Sequence, residues 1–178
     1  MMVLWWAALA WADPAALRAP VDRPAAVLGA EQQSVAVPVG DRWRVAVETH
    51  TGAALGASVG QRWTVLGESE GWGADAVLAG GLLVPVLDPQ LGLTVSPAFQ
   101  GGLRTSGFAG VVGVAAPMVL TVPRVQARLP LLTELQLGGA IGPVWLGGRL
   151  AVGPVNTPGV DISAFVEPGL WLAWRGER

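Results

Sequence analysis

The chain has 178 residues and a formal net charge of −2. Only 13% of its side chains are charged, against roughly 25% in soluble domains, and its mean hydropathy is +0.49, so a water-facing surface could not be covered. All 11 basic residues are Arg; the net charge of −2 with no Lys argues against a polyanion-binding face, and the absence of Cys with only 1 His excludes a disulfide framework, a thiolate site and the usual zinc clusters.

The first residues carry an apolar run followed by Ala10-Trp11-Ala12, a small-x-small pattern before Asp13, so residues 1–12 are expected to be a signal peptide. Residues 13–31 are rich in Ala and Pro and show neither helical nor strand period; a mobile leader is expected there. A helical membrane span needs about 18 or more apolar residues without interruption, whereas the longest apolar runs, 74–87 and 108–122, are shorter and broken by Gly or Pro. Runs of that length suit strands.

Alternation is clear in 42–50, where Trp43, Val45 and Val47 oppose Arg42, Arg44, Glu48 and His50. In 53–66, Leu55, Ala57, Val59, Trp63 and Val65 share a face opposite Ser58, Arg62 and Thr64, and a turn-like 68–73 follows. Residues 74–87 are apolar on both faces and give no orientation. After a tight turn at 88–90, residues 91–100 alternate again, then 101–107 reads as a loop and 108–116 as a strand ending near Pro117. Breaks near Pro130 and Gly142-Pro143 divide 118–153, and 153–159 is a loop. The last stretch, 160–175, keeps one parity throughout: Val160, Ile162, Ala164, Val166, Pro168, Leu170, Leu172 and Trp174 on one face, with Phe165 and Trp171 as exceptions on the polar side.

The fold class expected is all-β, an antiparallel up-and-down transmembrane β-barrel whose last strand closes on its first. An even strand count follows when both chain ends lie on one side. Ten strands, with 32–39 separate and three strands in 118–153, are favoured over eight. Ten places the connections 68–73, 101–107 and 153–159 at one rim and 88–90, 116–118 and 142–143 at the other. Trp43, Trp63, Phe99 and Phe108 then fall at the outer ends of their strands, with Trp145 and Trp174 at the inner ends, as two aromatic girdles.

Residues 32–178 are expected to form the barrel domain, and with a leader, strands of alternating hydrophobicity, Gly-containing turns and a last strand ending in an aromatic, roughly residues 32–175 resemble the small bacterial outer-membrane β-barrel proteins in architecture. That resemblance implies export to the outer membrane, a periplasmic position for the leader, contact with outer-membrane lipids, and an assembly signal read by the barrel-insertion machinery. Leu170, Leu172 and Trp174 match that signal, and the additional 175–178 depart from its usual end.

The inward set expected is of mixed sign: Arg42, Arg44, Glu48, Arg62, Arg124, Arg128, Glu134, Asp161, Glu167 and Arg175. A barrel this narrow is filled by side chains, and buried charges must be paired, so a salt-bridged plug is expected before an Arg-lined solute path. His50, with Glu48 on the same face and Thr49 and Thr51 beside it, is the one weak catalytic candidate, for an enzyme acting on envelope lipid. The expectation is a non-enzymatic, monomeric barrel of structural, adhesive or minor transport role, with no cofactor, metal or nucleic-acid partner. The rivals are that lipid-modifying enzyme and a soluble periplasmic β-sandwich binding protein.

Overall fold

The computed structural model describes residues 23–29, 32–50, 54–68, 71–85, 91–122, 126–128, 131–155 and 163–174. The expected signal peptide lies outside them, as do the 88–90 turn and most of the 153–159 loop. In chain order the strands are β1 (Ala25–Gly29), β2 (Gln32–Val39), β3 (Trp43–His50), β4 (Ala54–Gly67), β5 (Gly71–Pro85), β6 (Leu91–Arg104), β7 (Phe108–Ala115), β8 (Met118–Val122), β9 (Gln126–Arg128), β10 (Leu132–Ile141), β11 (Val144–Val155) and β12 (Ser163–Trp174). No described helix is long and apolar enough to cross a membrane, a finding that does not bear on strands.

Every pairing is antiparallel, β5 pairs with β6 and β1 with β12, so the sheet closes. Twelve segments make a ring of ten strands because two pairs of segments are each one strand interrupted by a proline-containing break. Against β6, Ala98 faces Ala115 of β7 and Val95 faces Met118 of β8, which is one unbroken register. Pro117 has no N–H to give the ladder, but its side chain is buried on the same face as Ala109, Val111 and Val119, and Ala116 N still donates to Pro97 O at 2.9 Å. Likewise β9 and β10 hold one register against β8 and β7, with Arg128 facing Val119 and Leu132 facing Ala115.

The ten strands are therefore divided differently from the sequence expectation. Ala25–Gly29, placed in the leader, is the first strand and pairs with β12 and β2. Residues 118–153 hold the end of one strand and two more, where three were expected, and 116–118 is no turn. Both departures shift the parity of everything between, so the rims change sides. The connections 40–42, 105–107 and 142–143 and the facing strand ends Gly67 and Gly71 share the rim with the described chain ends at 23–24 and 174, whereas the strand ends His50 and Ala54, and Val155 and Ser163, lie at the opposite rim. Grouping 68–73 and 101–107 with 153–159 was wrong for this reason. The sandwich does not form either, since closure leaves no second sheet.

Local chemistry explains the tight rim. Val39 faces Trp43 across a three-residue connection opened by Gly40 at φ 68°, which keeps Val37, Val39 and Trp43 on the outer face. Ile141 faces Val144 across Gly142-Pro143, with Gly142 at φ 59°, the left-handed first position of a two-residue hairpin turn. At 105–107, Thr105 N donates to Phe108 O at 2.8 Å, while Thr105 Oγ1 accepts from Phe108 N at 3.0 Å and Gly107 N at 3.4 Å. Thr105→Val should therefore cost about 1 kcal/mol in a urea titration, with no change of fold.

The last strand is single, as its parity indicated. It pairs along its whole length with β11 and from Gly169 to Ala173 with β1. Trp174 N donates to Pro24 O at 3.1 Å, so even-numbered residues of β12 face β1. Pro168 is the next such residue beyond the last β1 pair, a position where a missing N–H costs the ladder nothing.

Candidate functional site

The two faces of the wall have opposite chemistry. Outward stand large apolar side chains such as Val47 (60% exposed), Leu55 (55%), Val84 (53%), Val112 (54%) and Leu170 (55%). Inward, and buried, stand Arg44, Glu48, Asp75, Gln100, Gln136, Arg149 and Glu167. The interior is therefore the place where chemistry could reside.

Its residues stand in cross-strand rows set by the register. Asp75, Gln100, Gly113, Glu134, Ala151 and Glu167 are successive cross-strand partners on β5, β6, β7, β10, β11 and β12, so three carboxylates belong to one such row. In the next inward row towards the chain ends, Arg149 stands beside Gln136. Glu134 Oε1 accepts from Arg149 Nε at 2.6 Å and from Gln136 Nε2 at 2.8 Å. Arg62 Nη1 lies 4.0 Å from Asp75 Oδ2, and Arg44 Nη2 donates to Arg23 O at 3.1 Å. Among the described residues, the inward charges are Arg44, Arg62, Arg104 and Arg149 against Glu48, Asp75, Glu134 and Glu167. The signs balance, which is the condition for holding charge in a low-dielectric interior.

Apolar plugs lie towards both ends of this polar band. Near the chain ends, Trp171 and Trp145 pack with Val27, Val111, Ala109 and Ala173. Gly138, Gly147, Trp171 and Val27 are successive partners, and the indole of Trp171 lies against the two glycines: a Cβ on Gly138 would lie 2.3 Å from its ring, and one on Gly147 2.4 Å. At the other end Leu83 packs on Ala54, and Gly56 makes room for Glu48 and Leu83. The cavity found in this wall is small, about 20 Å³, and lies among Gln100, Gly113, Glu134 and Gln136.

Comparison of the chain with protein-family models, with curated proteins and with solved structures found no match. The reading of the site rests on its geometry.

Of the charges expected in the lumen, Arg44, Glu48, Arg62, Glu134 and Glu167 are there. Arg42 is not; it is exposed in the turn after Gly40, since the three-residue connection ends before Trp43. Arg124, Asp161, Arg175 and the side chain of Arg128 lie outside the described residues. Asp75, Arg104 and Arg149 are lumen charges that were missed. Asp75 sits in a stretch apolar on both faces, and Arg104 was assigned to the loop 101–107, of which 101–104 are in fact the end of β6. Arg149 could have been found by continuing the alternation of β11 from Trp145.

The aromatic set also differs. Trp43, Trp63, Phe99, Phe108 and Trp174 face outward, joined by Trp72, but Trp145 faces inward at 5% exposure. All of them lie towards the rim that carries the described chain ends, so the described aromatic side chains gather at one rim and not at two. Leu170, Leu172 and Trp174 form one outward row on β12. His50 ends β3 at the rim opposite the chain ends, not at the rim expected for it, and its side chain lies outside the described residues. Among the described residues no group of three His, Cys, Asp or Glu is placed to hold a metal ion.

Proposed function

We propose that the chain is a membrane-spanning β-barrel of the bacterial outer membrane, non-enzymatic and structural or adhesive in role, with its lumen sealed by paired charges. The observation that carries this reading is the outward apolar belt around a polar, charge-balanced interior. On β5 the belt runs from Trp72 to Val84. Those twelve steps rise ~40 Å along the strand, and roughly 30 Å along the axis at a barrel tilt of about 40°. The apolar band of outer-membrane barrels is about 25 Å tall. Cell fractionation tests the reading: the protein should stay in the alkaline-extracted envelope pellet and shift mobility on heating before electrophoresis. Recovery as a soluble periplasmic protein would refute it.

The sealed lumen favours a structural role over transport. Purified protein in planar bilayers should give no steady conductance above the lipid leak. A reproducible open step whose ion selectivity changes in Arg149→Ala would instead establish the Arg-lined path.

A further inference from the structure

We infer that the barrel meets the lipid headgroup layer through aromatic side chains at one rim only, the rim carrying the chain ends, while the opposite rim meets lipid through aliphatic side chains; this rests on the membrane-spanning reading above. Trp43 opens β3, Phe108 opens β7, Trp72 stands next to the start of β5 and Trp174 closes β12, all at the same rim. One step further in, Trp63 and Phe99 flank Ala76 as its two cross-strand partners. All six are outward, from 38% exposed at Trp63 to 71% at Trp72. The outward residues near the other rim are Leu28, Val47, Leu55, Val84, Leu91 and Val122, with no described aromatic side chain among them.

An indole has an apolar body and one N–H donor, and it is most stable where hydrocarbon gives way to hydrated carbonyl and phosphate groups. Leu and Val have no such preference for the boundary and are content anywhere in the hydrocarbon. Immediately beyond the ring the chain turns polar, with Asp41, Arg42, Glu68, Thr105 and Ser106 exposed in the connections. Apolar wall, aromatic ring and charged turn therefore succeed one another in the order that hydrocarbon, carbonyl layer and headgroups do. The tight connections of this rim hold the ring at that level.

The test uses the full chain refolded into phosphatidylcholine vesicles whose acyl chains carry bromine either close to the carbonyls or close to the chain ends. Fluorescence lost to each quencher is compared between the parent and Trp43→Phe, Trp72→Phe, Trp174→Phe and Trp171→Phe, so that each difference reports one indole. Shallow bromine should take about twice as much emission as deep bromine from Trp43, Trp72 and Trp174, and almost none from Trp171, which faces the lumen. Stronger quenching of the three outward indoles by deep bromine would overturn the one-sided belt while leaving the membrane span intact. Quenching of none of them by either lipid would overturn both. Should one variant fail to refold, the remaining two outward positions still decide the depth.

Discussion

Gly147→Ala should be among the most damaging single-methyl additions in this barrel, costing about 3 kcal/mol or more in a urea titration of the micelle-refolded protein. The new Cβ would meet Leu137 O at 2.4 Å and the Trp171 ring at 2.4–2.5 Å, distances that no rotamer can relieve because a Cβ has no torsion to turn. Part of the conflict is with the indole, so the same substitution in a Trp171→Ala background should cost less, and the difference measures the contact. Trp171→Ala alone empties the largest fully buried side chain of the structure and should cost about 3–5 kcal/mol. Trp171→Phe separates size from polarity. Trp171 Nε1 is buried without a hydrogen-bond partner, a cost of about 1–3 kcal/mol that Phe removes, so this variant should lie close to the parent.

The second large effect is expected at the ion pair of Glu134 and Arg149. Glu134→Leu leaves the Arg149 guanidinium, whose side chain is 2% exposed, in the interior without the carboxylate 2.6 Å away, and should cost about 3–5 kcal/mol. Removing both charges together, as Glu134→Leu with Arg149→Met, should recover most of that loss, because the desolvation of two ions disappears with their attraction. Recovery in urea titrations of the single and double variants would show that the lumen charges are tolerated because they are paired. A double variant as unstable as the single would show that the pair holds the wall through geometry that Leu and Met do not replace.

Much of the wall was legible in sequence because alternation with period two is a direct consequence of closing a sheet with one face apolar and one polar. The strands 42–50 and 91–100 and the terminal strand show that clearly, and Trp171 stood out as the aromatic on the polar side before its role over Gly138 and Gly147 was visible. Ten strands were also expected, but the division was not. Ala25–Gly29 offers five small or aliphatic residues with no polar row, so nothing in its pattern separates a strand from an Ala-rich leader. Pro117 pointed to a turn, because a missing N–H weakens a ladder, yet register is set by side-chain parity on both sides of it and that parity never changes. One unseen strand at the start inverts the assignment of rims, which is why the aromatics were split into two girdles. Which inward charges meet, such as Glu134 with Arg149 of the neighbouring strand, depends on cross-strand register and could not be read from spacing.

The joint between β1 and β12 has a consequence for how the barrel breathes. Nine of the ten joints in the ring link strands that follow each other in the chain, whereas this one joins Ala25 to Ala173 and rests on only five residues of β1. Local opening draws on a short joint that has no connecting turn to hold its strands in reach, which the similarly short β1–β2 joint does have. Amide hydrogens of Ala26, Leu28, Leu170 and Leu172 should accordingly exchange with deuterium before those in the middle of the β5–β6 pair. The ring would then part at the seam between its first and last strands, and it would close there last when the protein assembles.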